Sequence, residues 1–86
     1  MNSYIEIYTK DLCPYCQRAK ELLRIKGARF IEYDVTADQV KAEEMLQRSK
    51  SRAVPEIFID DRLIGGCAEL FELDEKGELN GLLGLR

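Results

Sequence analysis

The sequence predicts an α/β protein with a small four-stranded mixed sheet flanked by helices, in the order β-α-β-α-β-β-α. Three observations carry that prediction. Four short runs are rich in β-branched and aromatic residues, at residues 4–8, 30–35, 56–60 and 62–64. The stretch between the first two runs has apolar residues at helical spacing, so these strands should pair in parallel as a right-handed βαβ unit. Only Asp60-Asp61 separates the last two runs, which reads as an antiparallel hairpin.

Each element has its own justification. Tyr4, Ile5, Glu6, Ile7 and Tyr8 make the first strand, and residues 9–12 the turn after it. Pro14 suits the first helical position, where its missing N–H is no loss and its φ is already helical. Ala19, Leu22, Leu23 and Lys26 follow at helical spacing, with the Lys26 stem along the core edge, and Gly27 is the stop. Phe30, Ile31, Tyr33 and Val35 make the second strand. Thr36 and Gln39 have the spacing of a capping box. They open a helix whose apolar side is Val40, Met45 and Leu46 and which ends near Ser49. Residues 51–55 form a loop, and Ile57, Phe58 and Ile59 form the third strand. Arg62, Leu63 and Ile64 form the fourth, broken by Gly65-Gly66. Leu70, Phe71 and Leu73 mark a third helix that Gly77 interrupts. Leu79, Leu82, Leu83 and Leu85 belong to a final leucine-rich turn or short helix, the first three of them in the core.

Composition bounds the function. At 86 residues there is room for one core, so residues 1–86 are expected to form a single domain. With 45% hydrophobic and 34% charged residues the chain should fold and stay soluble alone, as a monomer. A net charge of −3 excludes nucleic acid as a ligand, since neutralising phosphates needs clustered positive charge. Residues 1–8 are too short and too charged for a signal peptide. No apolar run approaches membrane-spanning length, so no membrane partner is expected. Three cysteines, an odd number, argue against a secreted disulfide framework. In a reducing cytoplasm, the expected location, such cysteines are catalytic or redox-sensing.

The chemistry sits in Cys13-Pro14-Tyr15-Cys16, just after the first strand and opening the first helix. A step from i to i+3 on a helix rises about 4.5 Å and leaves the Cα atoms about 5 Å apart. A disulfide bridges Cα atoms about 4.4–6.8 Å apart without moving the backbone, so the pair can cycle between dithiol and disulfide. Metal knuckles use the same spacing, but a structural zinc site needs four Cys or His ligands. With three cysteines and no histidine, no metal is expected unless a second chain completes the site. Cys13 precedes the helix and is the nucleophile. Unpaired N–H groups and partial positive charge at the helix start favour thiolate over thiol, and Lys10 adds a cation. Cys16, a turn later, is the resolving thiol.

With this motif placed in a βαβ unit, the chain resembles the glutaredoxins of the dithiol class, from about Tyr4 to Leu83. Four features carry the resemblance: Lys10 three residues before Cys13, the Cys13-Pro14-Tyr15-Cys16 motif, Val54-Pro55 ahead of the third strand, and Gly65-Gly66-Cys67 after the fourth. The resemblance implies a thioredoxin-like fold and a glutathione-dependent thiol–disulfide oxidoreductase. It would reduce protein disulfides and glutathionylated proteins, and be recharged by glutathione, with glutathione reductase and NADPH upstream. It also implies a cis Pro55, which leaves the Val54 backbone free to pair with an extended peptide. Composition alone equally allows a trans proline opening a strand.

The resemblance also implies roles around the motif. Lys10, Arg52 and, more weakly, Gln17 would be counter-charges or polar partners for glutathione carboxylates. Tyr15 would flank the glutathione groove, or else be an exposed spacer. Gly65 and Gly66 let a ligand backbone come close, and Cys67 heads a helix whose N–H groups suit a carboxylate. The Cys67 side chain reads either as a small packed residue or as a modifiable thiol. Two positions depart from the family pattern. Ala53 stands where a threonine is usual before Val-Pro, and Ala68 where an aspartate reaches the γ-glutamyl end of glutathione. Losing these anchors should weaken glutathione binding, since a neutral hydrogen bond contributes about 1 kcal/mol and a charged one about 1.5–3. Glu69, next along, would be the substitute, but on a helix it points about 100° away.

Three alternatives follow from the same residues. One is a glutathione-independent electron donor reduced by thioredoxin reductase, which Ala53 and Ala68 favour and Lys10 and Tyr15 oppose. Another is a dimer holding an iron–sulfur cluster through Cys13 and glutathione, which the rigid Pro14 disfavours. The last is a redox-inert interaction module that keeps only the fold.

Overall fold

The computed structural model describes residues 3–85; Met1, Asn2 and Arg86, which the expected 1–86 domain includes, lie outside the described residues. Eight elements follow one another: β1 (Ile5–Thr9), α1 (Pro14–Ile25), β2 (Ile31–Asp34), α2 (Gln39–Ser49), β3 (Glu56–Ile59), β4 (Arg62–Gly65), α3 (Cys67–Glu75) and α4 (Leu79–Leu82). The sheet order is β2-β1-β3-β4. β1 and β2 are parallel, as a helical crossover requires, while β1–β3 and β3–β4 are antiparallel. The β3–β4 turn works because Asp60 and Asp61 both take left-handed φ, 50° and 67°, which suits a tight hairpin.

Alternation along β1 and β3 feeds two cores. Ile5, Ile7, Ile57 and Ile59 face α1 and α3, packing with Ala19, Leu23, Cys67, Leu70, Leu79 and Leu83. Leu79 and Leu83 are fully buried and Leu82 partly, so the leucine-rich end belongs to this core as expected. Tyr8 and Phe58 face α2 and pack with Val35 and Met45. Lys26 does lie at the core edge, where its Nζ meets Asp74 at 2.6 Å, and Gly27 after it takes a left-handed φ of 74°. No helix among the described residues is long and apolar enough to cross a membrane.

Two expectations about α2 are corrected. The helix starts at Gln39, capped by Asp38, whose Oδ1 accepts from the Lys41 N–H at 3.1 Å. Thr36 is not the cap. Its Oγ1 accepts from the Asp11 N–H at 3.0 Å, tying the turn before Cys13 to the β2–α2 loop. Because aspartate is as good a cap as threonine, the capping-box spacing could not choose between them. Val40 is 75% exposed rather than on the apolar side, since at about 100° per residue it lies about 140° round the helix from the buried Met45.

Candidate active site

Cys13 is the N-cap of α1, with an extended backbone (φ −111°, ψ 104°). Its Sγ accepts a 3.2 Å hydrogen bond from the Cys16 backbone N–H. Pro14 at the first helical position fixes where the helix begins, and no acidic residue in the first turn offsets its positive end. The sulfur is thus held where helix N–H groups are otherwise unpaired. Cys13 is partly exposed. Leu12, just before it, is 95% exposed and takes a left-handed φ of 53°, a conformation that costs an L residue about 1–3 kcal/mol. This strained step bends the chain from the turn into the helix start.

Cys16 lies one turn in with no exposed surface. Burial pushes its thiol up to about 12, and the hydrogen bond with Cys13 adds to the rise. The Lys10 backbone and the Lys20 charge pull the other way. All three cysteines are free thiols. The pair therefore divides into a sulfur that a substrate can reach and one held protonated in the interior.

A groove of about 380 Å³ runs from Tyr15 on α1 to the start of α3. The Val54-Pro55 peptide bond is cis, and β3 leaves the groove wall at Glu56. Gly66, the N-cap of α3, comes so close that a Cβ there would lie 3.2 Å from the Pro55 carbonyl oxygen. Tyr15, Val54, Pro55, Gly66 and Cys67 all line this groove, together with Ala53 and Ala68. The Tyr15 ring is 61% exposed, so it forms an open rim. Lys10, Arg52 and Gln17 are exposed and do not line the groove. Cys67 is buried, and burial pushes its thiol up, with the Arg18 charge opposing.

Sequence reasoning passed over Glu56 and Lys20 and turned Glu69 about 100° away from the Ala68 position. Glu56 lines the groove at 7% exposure; burial pushes its carboxyl up, the Ser51 hydroxyl draws it down, and the Glu69 charge adds to the rise. Nothing in the sequence marked it, because an acid heading an apolar strand looks like a loop edge. Glu69 also lines the groove, and its Oε1 accepts the Gly66 N–H at 2.7 Å. That signal was legible, since a glutamate three residues past an N-cap is the capping-box position. Lys20 is 8% exposed, four residues after Cys16 on the inner face of α1, and donates to Glu32 at 2.9 Å. Thr9 Oγ1 donates to the same carboxylate at 2.7 Å. Burial works against the Glu32 charge, but Lys20 and Thr9 hold the carboxyl below its ordinary range.

Among the described residues, no group of three or more His, Cys, Asp or Glu is arranged to hold a metal ion. What the site can do is thiol exchange at Cys13, with a groove to hold the partner of the attacked sulfur.

Comparison with known proteins agrees. The family model "Glutaredoxin" matches residues 5–64. The chain is 52% identical to glutaredoxin 3 of Escherichia coli K12 over 79 residues, 92% of this chain and 95% of that one. A solved glutaredoxin of Brucella melitensis is similar with a TM-score of 0.82 and 44% identity, over 95% of this chain and 89% of that one. A buckwheat glutaredoxin–glutathione complex superposes with a TM-score of 0.86 at 29% identity, over 95% of this chain and 77% of that one. Its overall shape is the thioredoxin-like arrangement of this sheet and its helices. A family match running from β1 into β4, and half the residues shared along nearly the full length of a named relative, lead to one conclusion: this chain belongs to the glutaredoxin family of thiol–disulfide oxidoreductases.

Proposed function

We propose that this glutaredoxin reduces glutathione mixed disulfides and protein disulfides with glutathione as reductant, Cys13 being the nucleophile and Cys16 the resolving thiol. One observation carries the assignment: the Cys13 sulfur is partly exposed at a helix N-terminus, whereas Cys16 is fully buried one turn away. Only Cys13 can meet an incoming disulfide.

The Cys13 thiolate attacks one sulfur of the substrate disulfide, and the other leaves as a thiolate that takes a proton from solvent. If the retained group is glutathione, a second glutathione thiolate attacks its sulfur. Cys13 is released as thiolate and oxidised glutathione departs. If the retained group is a protein, Cys16 gives up its proton and attacks the Cys13 sulfur. The reduced protein leaves and a Cys13–Cys16 disulfide remains. Two glutathiones then reduce that disulfide, so two electrons pass from two glutathiones to one substrate disulfide. Burial of Cys16 disfavours its thiolate, which slows its attack and leaves time for glutathione to resolve the mixed disulfide first.

The groove would hold the glutathione moiety. The Val54 backbone pairs with it as an added strand, set by Pro55, and Tyr15 lies along it. The backbone at Gly66 and Cys67 receives a carboxylate at the start of α3. Lys10 and Arg52 act from outside the groove as counter-charges. The glutathione held by the buckwheat relative supports this reading. We further propose that the protein acts in the cytoplasm as a monomeric single domain, with glutathione reductase and NADPH upstream of the glutathione that recharges it. One observation favours the glutathione-independent alternative: the charged side chains lining the groove, Glu56 and Glu69, are both acidic.

The test is NADPH oxidation through glutathione reductase, driven by a small glutathione mixed disulfide. Cys13→Ser should abolish turnover and Cys16→Ser should keep it. Ala68→Asp, which restores one charged hydrogen bond worth about 1.5–3 kcal/mol, should lower the KM for glutathione by about tenfold or more. Turnover with thioredoxin reductase but none with glutathione would refute the proposal.

A further inference from the structure

A second, larger groove of about 690 Å³ lies beyond Glu69. β4 is the outer strand of the sheet, paired on one side with β3 and on the other with no described strand. Successive strand residues face opposite ways, yet Arg62, Leu63 and Ile64 all line this groove. The groove therefore runs along the open edge of β4 rather than over one face of the sheet. Leu63 is 47% exposed there. An edge of this kind presents unpaired main-chain N–H and C=O groups to an incoming strand.

Its charge is lopsided. Glu69, Glu72 and Glu78 line it against Arg62 as the single base. Glu69 caps α3, and Glu72 meets Lys76 only at 3.8 Å, with both side chains more than half exposed, a pair of little strength. Glu78 makes no ion pair among the described residues. Glu69 lines both grooves, so the acidic surface is continuous with the one beside the redox pair.

We propose that this groove docks an extended, lysine- or arginine-bearing segment of the polypeptide whose disulfide is reduced at Cys13. The inference rests on the reductase reading above, and adds to it a class of substrate protein: one with basic residues flanking its disulfide. The segment would add to β4 through main-chain hydrogen bonds, while its cations meet Glu72 and Glu78. A second copy of this chain is the wrong occupant. It would bring the same acidic groove against itself in a protein that already carries a net charge of −3.

The test uses two disulfide peptides identical around the cystine, one extended by lysines and one by glutamines. At low salt the lysine peptide should show a KM lower by about three- to tenfold with kcat unchanged, two exposed ion pairs being of that strength. High salt should erase the difference. Glu72→Lys with Glu78→Lys should reverse it and Glu72→Gln with Glu78→Gln should remove it, both keeping parental turnover of a small glutathione mixed disulfide. Equal KM values in the parent, or a preference that survives charge reversal, would overturn the proposal. An independent readout is an NMR titration with the lysine peptide, its cysteines replaced by serine. Backbone amide shifts across Arg62–Gly65 are expected, and their absence, or self-association through this edge in the free protein, overturns it. A parent that shows those shifts but turns over no small mixed disulfide refutes the reductase reading and leaves the docking in place.

Discussion

Replacing Arg48 by alanine should cost this protein a large part of its stability. Arg48 lies in the last turn of α2 and reaches under it to the sheet. Nη2 donates to Glu6 Oε1 at 3.0 Å and Nη1 to Glu6 Oε2 at 3.2 Å, a two-pronged pair. Nη1 also donates to the Tyr8 hydroxyl at 2.8 Å and Nη2 to Asp61 at 3.2 Å. The guanidinium carbon sits 3.8 Å from the centre of the Phe58 ring. Burial alone would lower the Arg48 pKa, and the bonds to Glu6 and Tyr8 outweigh it. The Glu6 side chain is 8% exposed and that of Arg48 22%. Without Arg48, Glu6 keeps, among the described residues, only the Tyr33 hydroxyl, at 3.0 Å. Stranding one partner of a buried pair costs about 3–5 kcal/mol. Because Arg48 is partly exposed, water can follow it in, so the lower end, about 3 kcal/mol, is expected. For a domain of this size each kcal/mol moves Tm by about 4–8 °C, so Arg48→Ala should melt about 12–24 °C lower. Urea unfolding followed by circular dichroism gives the free energy directly. The double variant Arg48→Met with Glu6→Leu removes both charges and should recover most of the loss. A cost below about 1 kcal/mol for Arg48→Ala, or a double variant no better than the single, would show that the pair is not effectively buried.

Two further outcomes test the site and its frame. The folded Cys16 thiol keeps its proton to about 12 while an unfolded one loses it near 8.5, so between those values the folded state binds more protons. Stability that is complete below about pH 8.5 should then fall as pH rises through that window, by up to about 1.4 kcal/mol per pH unit. Tyr8, pushed up to about 12 by burial and by its bond to Glu44, contributes at the upper end, so the measure is the difference between the reduced parent and Cys16→Ala. Parallel stability–pH curves for the two would show that the buried thiol does not titrate as described. Gly65→Ala should cost about 1–3 kcal/mol, because φ is 120° and the new Cβ would lie 2.9 Å from Glu69 Cγ and Oε1. Gly77→Ala, with φ 74° and open space around it, should lose less in the same unfolding assay; equal losses would show that the Glu69 contact contributes nothing.

Most of the fold was legible because its signals are local. The β-rich runs, Pro14 at the helix start, Gly27 at the stop and Asp60-Asp61 at the hairpin each act within a few residues, and each stands where the structure has it. The start of α2 was misplaced because Thr36, Asp34 and Asp38 all have capping chemistry, and only tertiary contacts decide among them. Thr36 is taken by the Asp11 N–H, Asp34 Oδ1 accepts the Thr36 N–H, and Asp38 is left for the helix. The polar cluster under α2 was hidden for a related reason. Glu6, Tyr8, Tyr33, Glu44 and Arg48 lie up to 42 residues apart, and nothing in their spacing says that they share one buried site.

The redox pair could be read from four consecutive residues, but the character of the groove could not, and the reason is the sheet order. Placing β3 between β1 and β4 brings the Val54-Pro55 turn against Gly66, so residues from 53 to 69 close a wall opposite Tyr15. Once that wall is closed, the relevant charges are those that face into it, whatever their distance from Cys13 along the chain. Lys10 and Arg52, suggestive beside the motif in sequence, lie outside, while Glu56, unremarked in sequence, and Glu69, expected to point away, lie within. Glu69 is partly neutralised by capping the Gly66 N–H, and burial favours the protonated form of Glu56. A carboxylate ligand entering the groove therefore meets less repulsion than two free acids would give. An ammonium group for the same reason gains little attraction from them, and Ala68 supplies none. Glutathione carries both groups, which is why restoring an acid at residue 68 should strengthen its binding, while substituting Glu72 and Glu78 of the outer groove should leave small disulfides untouched.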